Sequence, residues 1–300
     1  MPYEIIAYRP RGRPPVTIEE IDRIVNMLEH FKKQVAEGER VQWHYRNPDT
    51  GVRFIMNFDP EKERTAYEGW NESPLTFLIG LGRPSFFGYE IFPVIDQVLK
   101  NLNLGALDPQ ETALMKQPAR LTANQMMASW IGCNSQQIES ILAAGKSVAI
   151  APRDRMDSFW KYMSSRHELQ ESLGPDIFVP PINLHRTRDG SVKMSCIWPE
   201  AAKIVLPEVD FVLVQKEEKK LTGTKKISGA VPYTKVAEIL KPRSKARNEP
   251  VNLILFDREP DNELLQDLSM LNFEPPSGYS KLSPAEIVER KRQTSDELHV

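Results

Sequence analysis

The chain has 300 residues, 40% of them apolar and 27% charged, with a formal net charge of −2. That length exceeds one ordinary core at roughly 100–200 residues per domain, and the near-neutral balance excludes a global field that would draw nucleic acid or an anionic membrane. No apolar run reaches the ~18 residues of a membrane span, and the N-terminal MPYEIIAYRPRGRPP lacks the apolar core of a secretory leader. Only two cysteines occur, Cys133 and Cys196. Their separation argues against a disulfide framework or a cysteine zinc site, so the expectation is a cytoplasmic protein with reduced thiols.

The spacing predicts a strand at YEIIAY (3–8), then a capping box of Thr17 and Glu20 opening a helix over 18–37. Val41, Trp43 and Tyr45 alternate with Gln42, His44 and Arg46, and Phe54, Met56 and Phe58 alternate with Arg53, Ile55 and Asn57. NPDTG between the two runs supplies turn residues, with Gly51 free to take a positive φ, so 41–58 reads as a β-hairpin. LTFLIGL (75–81) reads as a strand and 90–102 as a helix with Pro93 in its first turn. DPQETALMKQPAR (108–120) reads as a linker, followed by a helix capped by Thr122 and Gln125 and a second ending at Gly145.

A second domain opens at SVAIAP, with a helix over 154–169 and a hairpin turning at Asp189-Gly190. WPEAAKIVLP reads as a short helix or turn, DFVLVQK and KKISGAVPY as strands, and TKVAEIL as a brief helix. VNLILF (251–256) is apolar almost throughout and reads as a central strand. Helix 262–271 and a final short helix started by Ser283, Pro284 and Glu286 close the pattern. The expected fold is α+β in two sheet-and-helix layers with β-α-β-β-β-α-like halves. The domains would be 1–107 and 147–290, with a linker and helical segment at 108–146 and a frayed tail at 291–300.

Charge is uneven. From Lys203 to Arg247 there are 11 Lys/Arg against 5 Asp/Glu, a local +6, and from Asp257 to the end 5 against 10, a local −5. Such asymmetry marks two surfaces that face each other or face different partners.

The sequence carries little recognisable chemistry. GLGRPSFFG lacks dinucleotide spacing, LTGTKKISG lies between strands rather than before a helix, and neither G-x-S-x-G nor H-E-x-x-H occurs. The five histidines have no partners at metal-ligand spacing. Neither a metal nor a cofactor is therefore expected. The basic stretch 216–247 has almost no interleaved aromatics, which makes nucleic-acid binding a secondary reading. The candidate binding residues are His44, Arg46 and Asp49 on the hairpin, with Trp70, Arg83, Phe86, Phe87 and Tyr89 in loops. Loop aromatics and arginines anchor protein interfaces, although the same rings can plug the edge of a core. An enzyme site assembled from His44, Arg46, Asp49, Arg83 and His185 is the alternative.

The segments HYRNPDTGVRFIMNFDP, GRPSFFGYEIFPVIDQVL, LDPQ, IFVPPINLH, IWPEAA and LPEVDFVLVQK cover about a third of the chain. In them the chain resembles uncharacterised bacterial proteins that include immunity partners of secreted or contact-delivered toxins. The resemblance implies a stoichiometric binder that occludes another protein's active site, and it brings no catalytic residue.

Overall fold

The computed structural model describes the chain apart from residues 1, 36–39, 62–65, 111–116, 146, 200, 221–222, 274–277 and 291–300, with backbone alone for 216–220 and 223–227. The expected frayed tail lies outside the described residues. The chain divides into two compact units, Met1–Lys146 and Ser147–Val300, and the fold of the described residues is mixed α+β.

The first unit runs β1 (Tyr3–Pro10), α1 (Ile18–Val25), β2 (Phe31–Val35), β3 (Val41–Arg46), β4 (Arg53–Phe58), β5 (Ala66–Tyr67), β6 (Trp70–Ile79), α2 (Phe86–Asn101), β7 (Gly105–Leu107) and α3 (Ala123–Ala143). Its strands form one antiparallel sheet ordered β2-β3-β4-β6-β1-β7, with β5 paired to β6. Alternation decides the two faces. Trp43, Tyr45, Phe54, Met56, Phe77 and Ile5 are buried on one of them. The indole of Trp43 donates to Asp22 of α1 at 2.9 Å, and Tyr45 donates to Glu90 of α2 at 2.8 Å, so both helices cover that face.

Three expectations are corrected in this unit. The helix expected over 18–37 stops at Val25, and residues 31–35 pair with β3 as an edge strand. Phe31 and Val35 fit either period, but the ring of Phe31 stands edge-on to Tyr45 and Phe54 at 5.2 and 5.7 Å, a gain that the helix could not offer. The helix expected at 90 begins at Phe86, so Pro93 lies inside it rather than in its first turn. Residues 111–116 of the expected linker at 108–120 lie outside the described residues. The two helices expected after it are one continuous helix, capped as expected by Thr122 and Gln125, which packs against α2 where Gly88 leaves room for the ring of Trp130.

The second unit runs β8 (Ala149–Pro152), α4 (Arg153–Leu173), β9 (Asn183–Arg186), β10 (Val192–Trp198), β11 (Ile204–Pro207), β12 (Phe211–Lys220), β13 (Gly223–Pro232), α5 (Tyr233–Leu240), β14 (Lys245–Arg247), β15 (Leu253–Phe256), α6 (Asn262–Ser269), β16 (Ser280–Leu282) and β17 (Ile287–Arg290). Its sheets are β13-β12-β10-β9-β16, β11-β15-β14 and the pair β17-β8. The apolar run of β15 does lie between two neighbours, whereas IVLP, expected as helix or turn, is the buried strand β11. Parallel pairing of β10 with β12 and of β8 with β17 sets this unit apart from the antiparallel first unit, so the two halves are not repeats of one topology.

The basic and acidic stretches meet within this unit. Arg243 lies 3.1 Å from both Glu263 and Asp267, Lys245 lies 2.6 Å from Asp257, and Lys203 lies 2.6 Å from Glu259. Three cations of the basic stretch, Lys203, Arg243 and Lys245, are thereby paired with carboxylates of the acidic one. The pairs are partly or largely solvated, so each contributes little alone. Two of the four cations of 241–247, Arg243 and Lys245, belong to these pairs.

The hairpin between β9 and β10 turns at Gly190 with φ +85°. A Cβ there would sit 3.2 Å from the carbonyl oxygen of Val148 as well as adopting a left-handed backbone. Gly190→Val is expected to cost about 1–3 kcal/mol. A denaturant midpoint equal to that of the parent chain would show that the turn tolerates a side chain.

Candidate functional site

The face of the first sheet opposite α1 and α2 is assembled by register. Lys32 of β2, His44 of β3, Ile55 of β4, Leu78 of β6 and Glu4 of β1 form one row across it. All five are half-buried or exposed. In the neighbouring row Gln42 donates to Asn57 at 3.2 Å, and the Gln42 Oε1 lies 3.1 Å from His44 Nε2. The hairpin turn is fixed by its own side chains: Asn47 Oδ1 accepts from the Asp49 amide at 3.0 Å, and Asn47 Nδ2 donates to Glu90 at 2.9 Å. Gly51 takes φ +72° to close it.

At the β2–β4 end this face carries a basic corner. Arg46 and Arg53 stand directly opposite each other on β3 and β4, both exposed, with Lys32 and His44 in the adjacent row. Like charges in directly opposed cross-strand positions are destabilising. Among the described residues no carboxylate lies within 4 Å of Lys32, Arg46 or Arg53. The corner thus gathers guanidinium and ammonium groups on a hydrogen-bonded strand pair with no close carboxylate among the described residues.

The sequence-predicted site residues are only partly brought together. His44 and Arg46 belong to the corner, and Asp49 sits half-buried at the hairpin tip. Phe86 and Phe87 are 0% and 1% exposed, so neither can anchor a partner. Their segment was read as a loop from Gly82 and Pro84, but it is the first turn of α2, aimed into the core. Trp70 packs over Gly105, where an added Cβ would come within 2.7 Å of its ring, and so closes the edge of the core. Tyr89 is half-buried in the first turn of α2. The Arg83 backbone amide is bound by Asn134 at 3.0 Å. Sequence reasoning missed Lys32, which was assigned to a helix, and Arg53, although the turn at 47–51 already implied its register opposite Arg46.

His185 belongs to the second unit and takes no part in this corner. Its Nε2 lies 2.8 Å from the fully buried Ser195 hydroxyl, and its ring packs against Phe211 and Tyr279 at 5.4 and 6.1 Å. Burial, and then the charge of Lys281 on the neighbouring strand, hold its pKa below the ordinary value. A histidine kept neutral binds fewer protons folded than unfolded. Stability should therefore be intact above pH ~6.5 and fall as pH drops below that value, down to the folded pKa. His185→Gln should flatten the stability profile over that interval, and an unchanged slope would show that another group governs it.

Among the described residues no group of three or more His, Cys, Asp or Glu is placed to hold a metal ion, and no helix is long and apolar enough to cross a membrane. Comparison with protein-family models, with curated proteins and with solved structures finds no match.

Proposed function

We propose that the protein acts by binding another protein, in stoichiometric complex, through the open face of its first sheet, with an acidic patch of the partner on the corner of Lys32, His44, Arg46 and Arg53. The observation that carries the reading is the opposed pair Arg46 and Arg53, which burdens the isolated sheet and has no carboxylate within 4 Å among the described residues. A partner's carboxylates would relieve that repulsion. Ile55 and Leu78, half-buried in the same face, supply the apolar contact beside it. The resemblance of the turn and strand-edge segments to uncharacterised bacterial proteins that include immunity partners makes a toxin delivered by secretion or contact the partner to test first, with occlusion of its active site as the mechanism.

Arg46→Glu separates this role from a structural one. The variant places opposite charges across the strand pair and should gain about 0.2–1 kcal/mol of stability. The Arg46→Glu, Arg53→Glu double variant should bind the partner about 100-fold more weakly at low salt, mostly through slower association. The test is capture from a cell extract with the parent and doubly reversed chains side by side, followed by titration of the protein retained by the parent alone. Equal retention and equal affinity for both baits would end the proposal.

A further inference from the structure

The first sheet ends at β2, which pairs with β3 on one side and with no other strand among the described residues. The ladder fixes which of its backbone groups are spent. The Arg46 amide donates to the His30 carbonyl at 2.9 Å, in the same register that sets Lys32 opposite His44 and Gln34 opposite Gln42. Hydrogen-bonded and non-hydrogen-bonded pairs alternate along an antiparallel ladder. Residues 30, 32 and 34 therefore turn their amides and carbonyls toward β3, and Phe31, Lys33 and Val35 turn theirs outward. Among the described residues no hydrogen bond reaches those outward groups. An edge of this kind is a template for one more strand.

Side chains decide what that strand carries. Phe31 and Val35 stand on the helix-covered side of β2, Phe31 half-buried against Tyr45 and Phe54 and Val35 75% exposed. Lys32 is exposed on the open face, in the row of His44 and beside Arg46 and Arg53. Residues directly opposite each other across a strand pair share a face. An added strand would set apolar residues beside Phe31 and Val35 and carboxylates beside Lys32. A second copy of this chain is the wrong occupant. Pairing β2 with itself end to end sets Lys33 opposite Lys33 and brings two basic corners onto one joined face, which like-charge repulsion opposes. Charge complementarity favours an acidic segment instead.

We propose that β2 takes one more antiparallel strand, an extended segment of the partner in which acidic residues alternate with apolar ones. This rests on the protein-binding reading above and gives the form in which the partner's acidic patch arrives. The test is fluorescence anisotropy of a labelled, end-blocked peptide of alternating Glu and Val, titrated with the full chain. A peptide of alternating Lys and Val, and one with Glu and Val in two blocks, should bind about tenfold more weakly or worse. Methylated backbone amides decide the mode without any change to the protein. In an antiparallel strand the residues opposite Phe31, Lys33 and Val35 bond to β2, and these are the valines. Methylating the valine amides should abolish binding, whereas methylating the glutamate amides, which face away from β2, should leave it in place. Val35→Pro removes an outward amide at an exposed position and no bond to β3, so it should weaken the peptide about tenfold at an unchanged unfolding midpoint. Lys32→Glu should narrow the preference for the acidic peptide severalfold. No binding of the alternating peptide, equal binding of the block peptide, or binding that survives methylated valines would overturn the proposal. A captured partner lost by the Arg46→Glu, Arg53→Glu variant yet held by Val35→Pro at parental affinity would overturn it as well, while leaving the protein-binding reading in force.

Discussion

Trp43→Ala is expected to cost about 3–5 kcal/mol, the range for removing a fully buried large aromatic side chain. Trp43 is 0% exposed, and the loss is compounded by its neighbours. Its indole N–H binds Asp22 Oδ1 at 2.9 Å, while Lys33, directly across the strand pair, binds Asp22 Oδ2 at 2.6 Å and lies 5.8 Å from the ring centre. One side chain therefore ties α1 to the strands that carry Lys32, His44 and Arg46. Trp43→Phe keeps most of the apolar area and loses the hydrogen bond, so it should cost about 1–2 kcal/mol. Urea unfolding followed by a probe in the first unit distinguishes the two. Equal midpoints for the two variants would show that the buried ring volume is dispensable and that the hydrogen bond to Asp22 carries the whole effect.

The largest expected effect in the second unit comes from Asp210→Ala. Asp210 receives two hydrogen bonds from Arg155, at 2.7 and 3.1 Å, one from Lys193 at 3.1 Å and one from the Met194 amide at 2.8 Å. These link α4, β10 and the entry to β12. Hydrogen bonds to a charged group contribute more than neutral ones. Arg155 and Lys193 are 33% and 42% exposed and can recover water once the carboxylate is gone. The expected loss is therefore about 2–4 kcal/mol, below that of a fully buried broken pair. Burial alone would raise the pKa of Asp210, but the hydrogen bonds from Arg155 and Met194 outweigh it and hold the value below the ordinary one. A depressed carboxylate binds fewer protons in the folded state. Its contribution is full above pH ~4 and disappears as pH falls through the folded pKa. Asp210→Asn should therefore lose stability at neutral pH and show a shallower acid decline than the parent. An acid limb of the same steepness would assign that decline to other carboxylates.

Local signals carried much of this fold into the sequence. The capping boxes at Thr17 and Thr122 are formed as read, because both partners lie within four residues of each other. The hairpin at 41–58 was legible for the same reason: alternation and turn residues fix its register without help from elsewhere. Residues 31–35 were not legible, since apolar positions four apart suit a helix and a strand alike and only Tyr45 and Phe54 settle the matter. Phe86 and Phe87 misled because Gly82 and Pro84 punctuate the chain like a loop, while their burial (0% and 1% exposed) is set by three-dimensional packing.

The candidate site was half legible. His44 and Arg46 were visible as the polar side of one strand. Lys32 and Arg53 join them only through pairing with β2 and β4, and an uncompensated charge is a property of three-dimensional neighbourhoods rather than of spacing. The charge asymmetry of the second unit was visible as a count, yet whether it was free or internally spent required the contacts of Arg243, Lys245 and Lys203.

The most direct measurement is the nuclear magnetic resonance spectrum of arginine Nε–Hε and histidine ring signals, recorded with and without the captured partner. The signals of Arg46, Arg53 and His44 should move on binding and return as salt is raised, while those of His185 and Arg243 stay in place. Perturbations confined to the second unit, or a complex that leaves Arg46 and Arg53 unmoved, would contradict the assignment of this sheet face as the binding surface.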